Sequence, residues 1–335
     1  GTSFENAFNL LRFVIAQLYD NYKFLLDDPD IPSAQKEIFQ RLQQQTASLT
    51  DIQGALLILT KMLYSYYKKS VIILLDEYDV PVAKASSNGY YDAMLEIMRP
   101  MLSTVLKDNP SLRLAVITGC LKIAKESIFT GTNNLVSDTI QSTHLNEYFG
   151  FTQADVDQIL SDFHFERNKT LIKSWYDGYH FGDFDVYCPW DVMNYIRDLK
   201  IDPSARPSSY WKNTSDNAII RSFIDFAGGN ITRKLESLLS GGYIIQRVDD
   251  MLTYDYLHSS EDNLWSVLYL TGYLTSVRDE AIAGDIPEGT SALMIPNEEI
   301  REIFETTIMK WFDDTAKGWN RSRLFNAVWT GDADA

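Results

Sequence analysis

Thiols and long apolar runs are scarce in this sequence of 335 residues. Its two cysteines, Cys120 and Cys188, stand far apart with no other thiol, so neither a disulfide framework nor a zinc ribbon can be built from them. No run approaches the roughly 18 apolar residues of a membrane helix, and the opening residues lack the basic segment and cleavage site of a signal peptide. We therefore expect a cytoplasmic protein with no membrane partner.

Basic residues and a phosphate-binding loop are lacking as well. The 30 Lys and Arg residues are outnumbered by 46 Asp and Glu residues, and the formal net charge of −16 argues against non-specific binding of nucleic acid by the whole surface. This net charge does not exclude nucleic-acid binding by a local basic patch. The sequence contains no Gly-Lys pair, so it lacks a GxxxxGK loop whose backbone N–H groups and lysine would hold phosphates. Nucleotide affinity of this chain alone should therefore be weak.

Apolar periodicity predicts an α/β layer in the first part of the chain. Hydrophobic residues make up 45% of the sequence, as in ordinary globular proteins, and the length predicts about two domains. Helical patterns alternate with two apolar runs, VIILL at 71–75 and LRLAVITG at 112–119, which predict buried parallel strands. We expect the first strand to be covered on both faces. The predicted helices span about 4–25, 51–68 and 90–107.

Short sequence patterns also predict two helix starts and one further strand. The pairs Thr50 with Gln53 and Thr152 with Asp155 have the spacing of capping boxes and predict two helix starts. A short third strand is predicted to begin at Thr139.

Four segments are predicted along the chain. Residues 1–150 form an α/β core, and residues 151–240, which are punctuated by Gly and Pro, form a helical subdomain. Residues 241–317 predict a strand, a helix, a hairpin and a final helix that starts at Asn297, an order compatible with a winged helix and with other small α+β modules. Residues 318–335 would be a linker toward a further domain.

Acidic residues directly follow the first predicted strand. Asp76 and Glu77 lie at its carboxyl end, where open α/β sheets build ligand sites. In a nucleotide hydrolase the first acid would hold Mg²⁺ and the second would polarise the attacking water, while Thr118, at the end of the second run, would orient that water or sense the γ-phosphate. The alternative is a solvated strand end followed by a turn, which is common after hydrophobic strands.

The motif WYDGYHFG combines aromatic residues with an acid and a histidine. Trp175, Tyr176 and Tyr179 beside His180 are suited to stacking on a base or a sugar. The alternative, which we favour, is the carboxyl end of a helix that packs on the core and is stopped by Gly178. The remaining histidines show no metal-ligand spacing.

An ordered set of motifs covers nearly the whole chain. The set comprises LLDEYDVPVAKA, GYYDAMLEIMRPML, TGCLKIAKESIFTGTNNL, EYFGFT, WYDGYHFG, VYCPWDV, YWKNTS, NLWSVLYLTGYLT and IPNEEIREIF. It resembles the bacterial and archaeal AAA-ATPase-like family of P-loop proteins. The resemblance implies an α/β fold in which an incomplete P-loop NTPase (AAA-like) core is followed by a helical lid and a winged-helix-like module.

The same resemblance implies what the intact protein does. Family members usually carry a Walker A segment before the region matching residue 4 and a PD-(D/E)XK nuclease-like domain after about residue 330, so we expect both outside this sequence. The intact protein would bind and hydrolyse MgATP to drive a conformational switch coupled to the nuclease-like domain. This chain alone would be inactive.

Particular residues receive roles from the resemblance. LLDEYD matches Walker B, which assigns magnesium and nucleotide binding to Asp76 and the catalytic base to Glu77, and Thr118 would end the sensor strand. The segment that follows would face nucleotide or a neighbouring subunit; its residues are Lys122, Ser127 and Asn133. The position of Lys122 is commonly Arg in the family, and Lys lacks the bidentate fork of Arg.

The expected partners are a nucleotide and either a protein partner or a second copy of the chain. Nucleic acid is expected only through the nuclease-like domain. Two other functions stay open: a non-catalytic scaffold or regulatory module that binds protein or DNA through the winged-helix region, and a carbohydrate-binding protein, which 13% aromatic residues and many acids would suit. Unchanged behaviour of the intact protein after mutation of Glu77 would support the first alternative, and glycan binding that Trp175→Ala abolishes would support the second.

Overall fold

The computed structural model describes residues 1–120, 135–211, 229–249, 252 and 260–318. It divides into two compact units: unit 1 comprises Gly1–Ser137 with Asp250–Leu257, and unit 2 comprises Asp138–Asp249 with His258–Ala335. Both helices and strands are present, so the chain is a mixed α/β protein. The four predicted segments, the P-loop core and the winged helix stay predictions.

Unit 1 alternates helices with two strands, as its apolar periodicity predicts. Its elements are α1 (Phe4–Asp20), a 3-10 helix (Lys23–Asp27), α2 (Ser33–Gln43), α3 (Leu49–Gln53), α4 (Ala55–Tyr67), β1 (Val71–Leu75), α5 (Val80–Ser87), α6 (Tyr91–Leu106) and β2 (Leu112–Ile117). Both predicted strands are confirmed. The capping box at the start of α3 uses Ser48 and Asp51, so the predicted box at Thr50 and Gln53 is wrong: Ser48 has the same chemistry and begins the helix two residues earlier.

The helices of unit 1 share one hydrophobic core. Tyr19 of α1 and Phe39 of α2 are fully buried, and their rings meet edge to face with centroids 4.7 Å apart. The Tyr19 hydroxyl donates to the Ala55 carbonyl oxygen at the start of α4 (2.7 Å), so its polar end is satisfied inside the core. Leu75 at the end of β1 packs on the same core, which fixes the end of that strand.

The two strands of unit 1 form a parallel pair with Ile73 opposite Ala115 and Leu75 opposite Ile117. Alternate residues point to opposite faces, and only the face toward the helices is covered. On the other face Leu74 is 77% exposed, so the prediction that β1 is covered on both faces is wrong. An apolar run of five residues marks a strand but does not distinguish one covered face from two.

Unit 2 contains helices and two small sheets. Its elements are a 3-10 helix (Asn146–Tyr148), α7 (Gln153–Phe163), a 3-10 helix (Glu166–Asn168), α8 (Lys169–Tyr176), β3 (Tyr179–Phe181), β4 (Phe184–Val186), α9 (Pro189–Ile201), α10 (Gly229–Leu239), β5 (Ile244–Gln246), α11 (Glu261–Leu270), β6 (Thr275–Ser276), a 3-10 helix (Asp279–Ala281), β7 (Ser291–Met294) and α12 (Glu298–Gly318). The predicted capping box of Thr152 and Asp155 is confirmed at α7. The strand predicted at Thr139 is wrong, since this residue lies in a turn segment.

The sheets of unit 2 are antiparallel. β3 and β4 form a hairpin, and three further strands pair in the order β5-β7-β6. Asn297 precedes α12, as predicted, and its side-chain oxygen accepts the backbone N–H of Ile300 at 3.0 Å. Within the described ranges no helix has the length and apolar character needed to cross a membrane.

Candidate functional site

The candidate site lies at the carboxyl ends of the two parallel strands of unit 1. Asp76 and Glu77 follow β1 directly, and Thr118 follows β2. Because the strands are parallel neighbours, these ends meet at one edge of the sheet. The Thr118 hydroxyl donates a hydrogen bond to Asp76 Oδ1, and the Glu77 backbone N–H points to Thr118 Oγ1 at 3.3 Å. The structure therefore brings the three residues together.

Glu77 occupies an unusual backbone conformation. Its φ of +51° lies in the left-handed region, which costs a residue with a Cβ about 1–2 kcal/mol. The Glu77 N–H offsets part of this cost by donating to Asp76 Oδ1 at 3.1 Å as well as to Thr118. Strained backbone of this kind clusters at functional sites, which favours a role for the turn beyond chain reversal.

A set of hydrogen bonds holds the two strand ends in register. The Thr118 N–H donates to the Leu75 carbonyl oxygen (2.9 Å), and the Tyr78 N–H donates to the Thr118 carbonyl oxygen (3.0 Å). Asp79, which is only 1% exposed, accepts the Cys120 N–H on Oδ2 at 3.0 Å. Asp79 thus ties the turn after β1 to the chain after β2, a role that the sequence analysis missed. The sequence pointed to Asp79 only as the third acid of the DEYD motif.

Gly119 fits between these two segments because it has no side chain. A Cβ at this position would lie 2.7 Å from Asp79 Oδ1 and 2.5 Å from the Tyr78 ring. Real Cβ atoms do not come so close, so any larger residue would displace Tyr78 or Asp79. The glycine that follows Thr118 in the sequence was a usable signal for this close approach.

The site is acidic and open to solvent. Asp76 and Glu77 are exposed, and neither forms an ion pair with any residue that the structure describes. Partial desolvation, and then the charges of Asp79 and Glu77, raise the pKa of the Cys120 thiol. This negative charge is suited to attract a cation rather than an anion.

The donor set fits a magnesium ion that is shared with phosphate. Asp76 and Thr118 offer oxygen atoms, which Mg²⁺ prefers, and Mg²⁺ commonly uses one or two protein ligands with water and phosphate oxygens for the rest. No group of three or more His, Cys, Asp or Glu side chains among the described residues is arranged to hold a metal alone. The three other predicted site residues, Lys122, Ser127 and Asn133, lie outside the described residues.

The motif WYDGYHFG has a structural role in unit 2. Tyr176 ends α8 and is completely buried, so it is not available for stacking on a ligand. Gly178 has φ +98°, and a Cβ on it would collide with the Pro296 carbonyl oxygen. The favoured interpretation, a helix end stopped by glycine, is confirmed.

Unit 1 thus belongs to the class of α/β proteins whose acidic residues and hydroxyl group gather at the ends of adjacent parallel strands. The model of the AAA-ATPase-like family, described as predicted AAA-ATPase, matches residues 4–129. The resemblance indicated by the sequence motifs is confirmed over this part of the chain, which contains Asp76, Glu77 and Thr118.

A curated relative comes from Azotobacter chroococcum mcd 1 and is described as an uncharacterized protein in the vnfD 5'region. It is 28% identical over 145 residues, a match that covers 43% of this chain and 27% of the relative. The chain therefore corresponds to only about a quarter of that relative's length. No solved structure matches the chain.

Proposed function

We propose that this chain is part of an ATPase-like protein that, when intact, binds and hydrolyses MgATP to drive a conformational switch coupled to a C-terminal nuclease-like domain. The observation that carries the proposal is the contact of Asp76 with Thr118 and Glu77 at neighbouring parallel strand ends, inside the region that matches the family. Open α/β sheets bind their ligands at this edge.

Each of the three residues has a distinct role in the proposed reaction. Asp76 would bind Mg²⁺, which supplies charge neutralisation for the phosphate oxygens. Glu77 would accept a hydrogen bond from the attacking water and then its proton, and Thr118 would orient the same water. The helical segment 151–240 would serve as a lid over the nucleotide. Lys122, Ser127 and Asn133 would face the nucleotide or a neighbouring subunit.

The experiment compares this chain with the longest natural polypeptide that contains it. MgATP binding and phosphate release are measured for both, each with and without Glu77→Gln. We expect the longer polypeptide to bind and hydrolyse ATP, and its Glu77→Gln form to bind with turnover reduced about 100-fold or more. Glu37→Gln, which changes an exposed acid on α2, is the matched control and should leave turnover unchanged.

Two results would contradict the proposal. Absence of MgATP binding by the longer polypeptide removes the nucleotide from the function altogether. Unchanged turnover in Glu77→Gln removes the catalytic role of this residue.

The alternative function is a non-catalytic scaffold or regulatory module. Its supporting observation is the three-stranded antiparallel sheet β5-β7-β6, which with α10, α11 and α12 forms a hydrophobic core of its own. This module would bind protein or DNA through the region predicted as a winged helix. Partner binding that persists in Glu77→Gln, together with no ATP turnover in the unchanged protein, would favour it.

A further inference from the structure

Unit 2 contains a second pair of acids, which the proposed function does not use. Asp191 of α9 and Glu299 of α12 are both 0% exposed. Their carboxyl groups lie against each other, and the Cys188 thiol lies against Asp191. Buried carboxylates are rare because the desolvation of a charge is unfavourable unless a cation or several donors compensate it.

The surroundings of the pair contain too few donors for two negative charges. Glu299 Oε1 accepts the Trp211 backbone N–H at 2.9 Å, and the Tyr210 backbone N–H also faces Glu299. Neither oxygen of Asp191, nor Glu299 Oε2, receives a hydrogen bond from an N–H or hydroxyl group among the described residues. No described lysine, arginine or histidine forms an ion pair with either acid.

The other titratable groups that face the pair are neutral side chains. Tyr176 comes from α8, Tyr179 from β3, and Cys188 lies directly before α9. Burial raises the pKa values of all three groups, and the negative charges of Asp191 and Glu299 raise them further. They cannot neutralise an acid. A proton on one of the two carboxyl groups is the remaining means of compensation.

Two helix starts converge on the pair. Asp191 lies in the first turn of α9 and Glu299 in the first turn of α12. Helix N-termini favour one negative charge through their partial positive charge, but each contributes only about half an elementary charge. This setting suits a carboxyl–carboxylate pair with a single negative charge.

The end of α8 meets the start of α12 close to the pair, and several sequence motifs come together there. The Asn297 side-chain amide donates to the Asp177 carbonyl oxygen at 2.9 Å, and Gly178 lies directly against Pro296. The motifs WYDGYHFG, VYCPWDV, YWKNTS and IPNEEIREIF therefore meet at one buried point.

We propose that Asp191 and Glu299 share one proton and act as a proton-dependent latch that holds α9 and α12 together. With the proton present, one carboxyl group donates to the other and the pair carries one charge. Loss of the proton leaves two negative charges in contact, with no counter-ion, in a medium of low dielectric constant. The starts of α9 and α12 then separate so that water can reach both carboxyl groups.

The sign of the pH dependence follows from linkage. Burial, and then the charge of Asp191, raises the pKa of Glu299 from 4.5 to about 9. The folded state therefore retains a proton that the unfolded state has lost, and the contribution of the latch to stability declines as pH rises from about 4.5 through about 9. For one proton, the unfolding equilibrium constant increases about tenfold per pH unit in this range.

Tryptophan fluorescence offers a readout specific to unit 2, because all seven tryptophans occur at or after Trp175. Urea unfolding of the chain is followed by this signal at several pH values between about 5 and 9. In Glu299→Gln the amide donates permanently to Asp191 and mimics the protonated acid. We expect this variant to lose the tenfold increase per pH unit, whereas Glu298→Gln, its exposed neighbour, follows the unchanged chain.

A spectroscopic measurement keeps the test decisive if Glu299→Gln does not fold. The unchanged chain at neutral pH should show the infrared C=O stretch of a buried protonated carboxyl group. The band should disappear in the double variant Asp191→Asn with Glu299→Gln and persist in Glu298→Gln. Equal pH slopes in the unchanged chain and Glu299→Gln, or absence of the protonated-carboxyl band, would overturn the latch. Neither measurement depends on ATP hydrolysis.

Discussion

The two units each contain a pair of acids in a very different environment. Asp76 and Glu77 in unit 1 are exposed at a strand end, where water and the Thr118 hydroxyl solvate them. Asp191 and Glu299 in unit 2 are completely buried at two helix starts. Solvent access therefore separates the two pairs: water can solvate exposed carboxyl groups, whereas the desolvation of a buried pair without a counter-ion favours a shared proton.

The largest expected effect comes from a substitution at the contact between Gly178 and Pro296, next to the start of α12. Gly178→Ala places a methyl group against the Pro296 carbonyl oxygen at a residue with φ +98°. We expect the free energy of unfolding of unit 2 to fall by about 2–4 kcal/mol, because both the backbone conformation and the close approach become unfavourable. Urea unfolding followed by tryptophan fluorescence measures this change.

Gly284→Ala separates the two causes of that effect. Gly284 has a similar φ of +88°, but no atom lies within 4 Å of its hypothetical Cβ. This variant should lose only about 1 kcal/mol. Equal losses for Gly178→Ala and Gly284→Ala would show that the approach of Pro296 does not matter.

The corresponding change at the exposed pair should have a smaller effect. Gly119→Ala forces Tyr78 or Asp79 to move, and we expect a loss of about 1–2 kcal/mol in unit 1, because Gly119, unlike Gly178, does not have a positive φ and only the packing becomes unfavourable. Far-ultraviolet circular dichroism of the whole chain in urea measures it. Gly54→Ala is the control: its Cβ would stay 3.4 Å or more from other atoms, so the variant should be neutral or slightly stabilised. A Gly119→Ala protein as stable as Gly54→Ala would contradict the close packing of the site.

Unit 1 should lose stability as the pH falls, whereas unit 2 should lose stability as the pH rises. Arg41 donates two hydrogen bonds of 3.0 Å to Asp51, and these bonds lower the pKa of Asp51 despite its partial burial. Since the folded pKa lies below the unfolded value of 3.8, this stabilisation is present above about pH 4 and disappears as pH falls further.

Arg41→Gln tests this acid dependence. Because Arg41 is 42% exposed, we expect only a small loss of stability at neutral pH and a weaker dependence of stability on pH below about 4. Lys36→Gln on the same helix should leave both unchanged. If Arg41→Gln and the unchanged chain lose stability in parallel as the pH falls, the ion pair has no part in it.

The sequence predicted the exposed site better than the buried one, for a physical reason. Asp76, Glu77 and Thr118 each follow an apolar run, and the parallel pairing of two strands brings such ends together without any further information. Asp191 and Glu299 are distant in sequence and lie in the first turns of two helices, where an acid is ordinary. Only the tertiary arrangement of unit 2 brings the starts of α9 and α12 together, and no spacing in the sequence predicts that contact.

Two smaller errors in the sequence predictions concern a helix start and the exposed face of a strand. The predicted capping box used Thr50, but the helix begins two residues earlier, where Ser48 and Asp51 form the box at the start of α3. The exposed face of β1 could not be predicted because Leu74 and Leu75 are equally apolar, while only Leu75 meets the helices. Periodicity thus located the elements, but tertiary contacts decided which of their faces were covered.

The smallest expected change in stability is that of Thr118→Val. The variant removes the hydroxyl that contacts Asp76, but Thr118 is exposed and the Glu77 N–H keeps its bond to Asp76 Oδ1, so water can replace the lost contact. We expect the free energy of unfolding to change by less than about 0.5 kcal/mol. The proposed function implies that ATP turnover by the longer natural polypeptide falls about tenfold or more, because Thr118 is the group proposed to orient the attacking water.

Thr46→Val provides the matched control, since it removes an exposed hydroxyl that bonds to the Arg41 carbonyl oxygen far along the sequence from the strand ends. It should change neither stability nor turnover. A Thr118→Val protein with full turnover would remove Thr118 from the reaction, and one that loses several kcal/mol would mean that the exposed site depends on its hydrogen bonds as strongly as the buried pair does. The expected result, a large effect on turnover with little effect on stability, is what distinguishes a site open to ligand from acids that hold helices together.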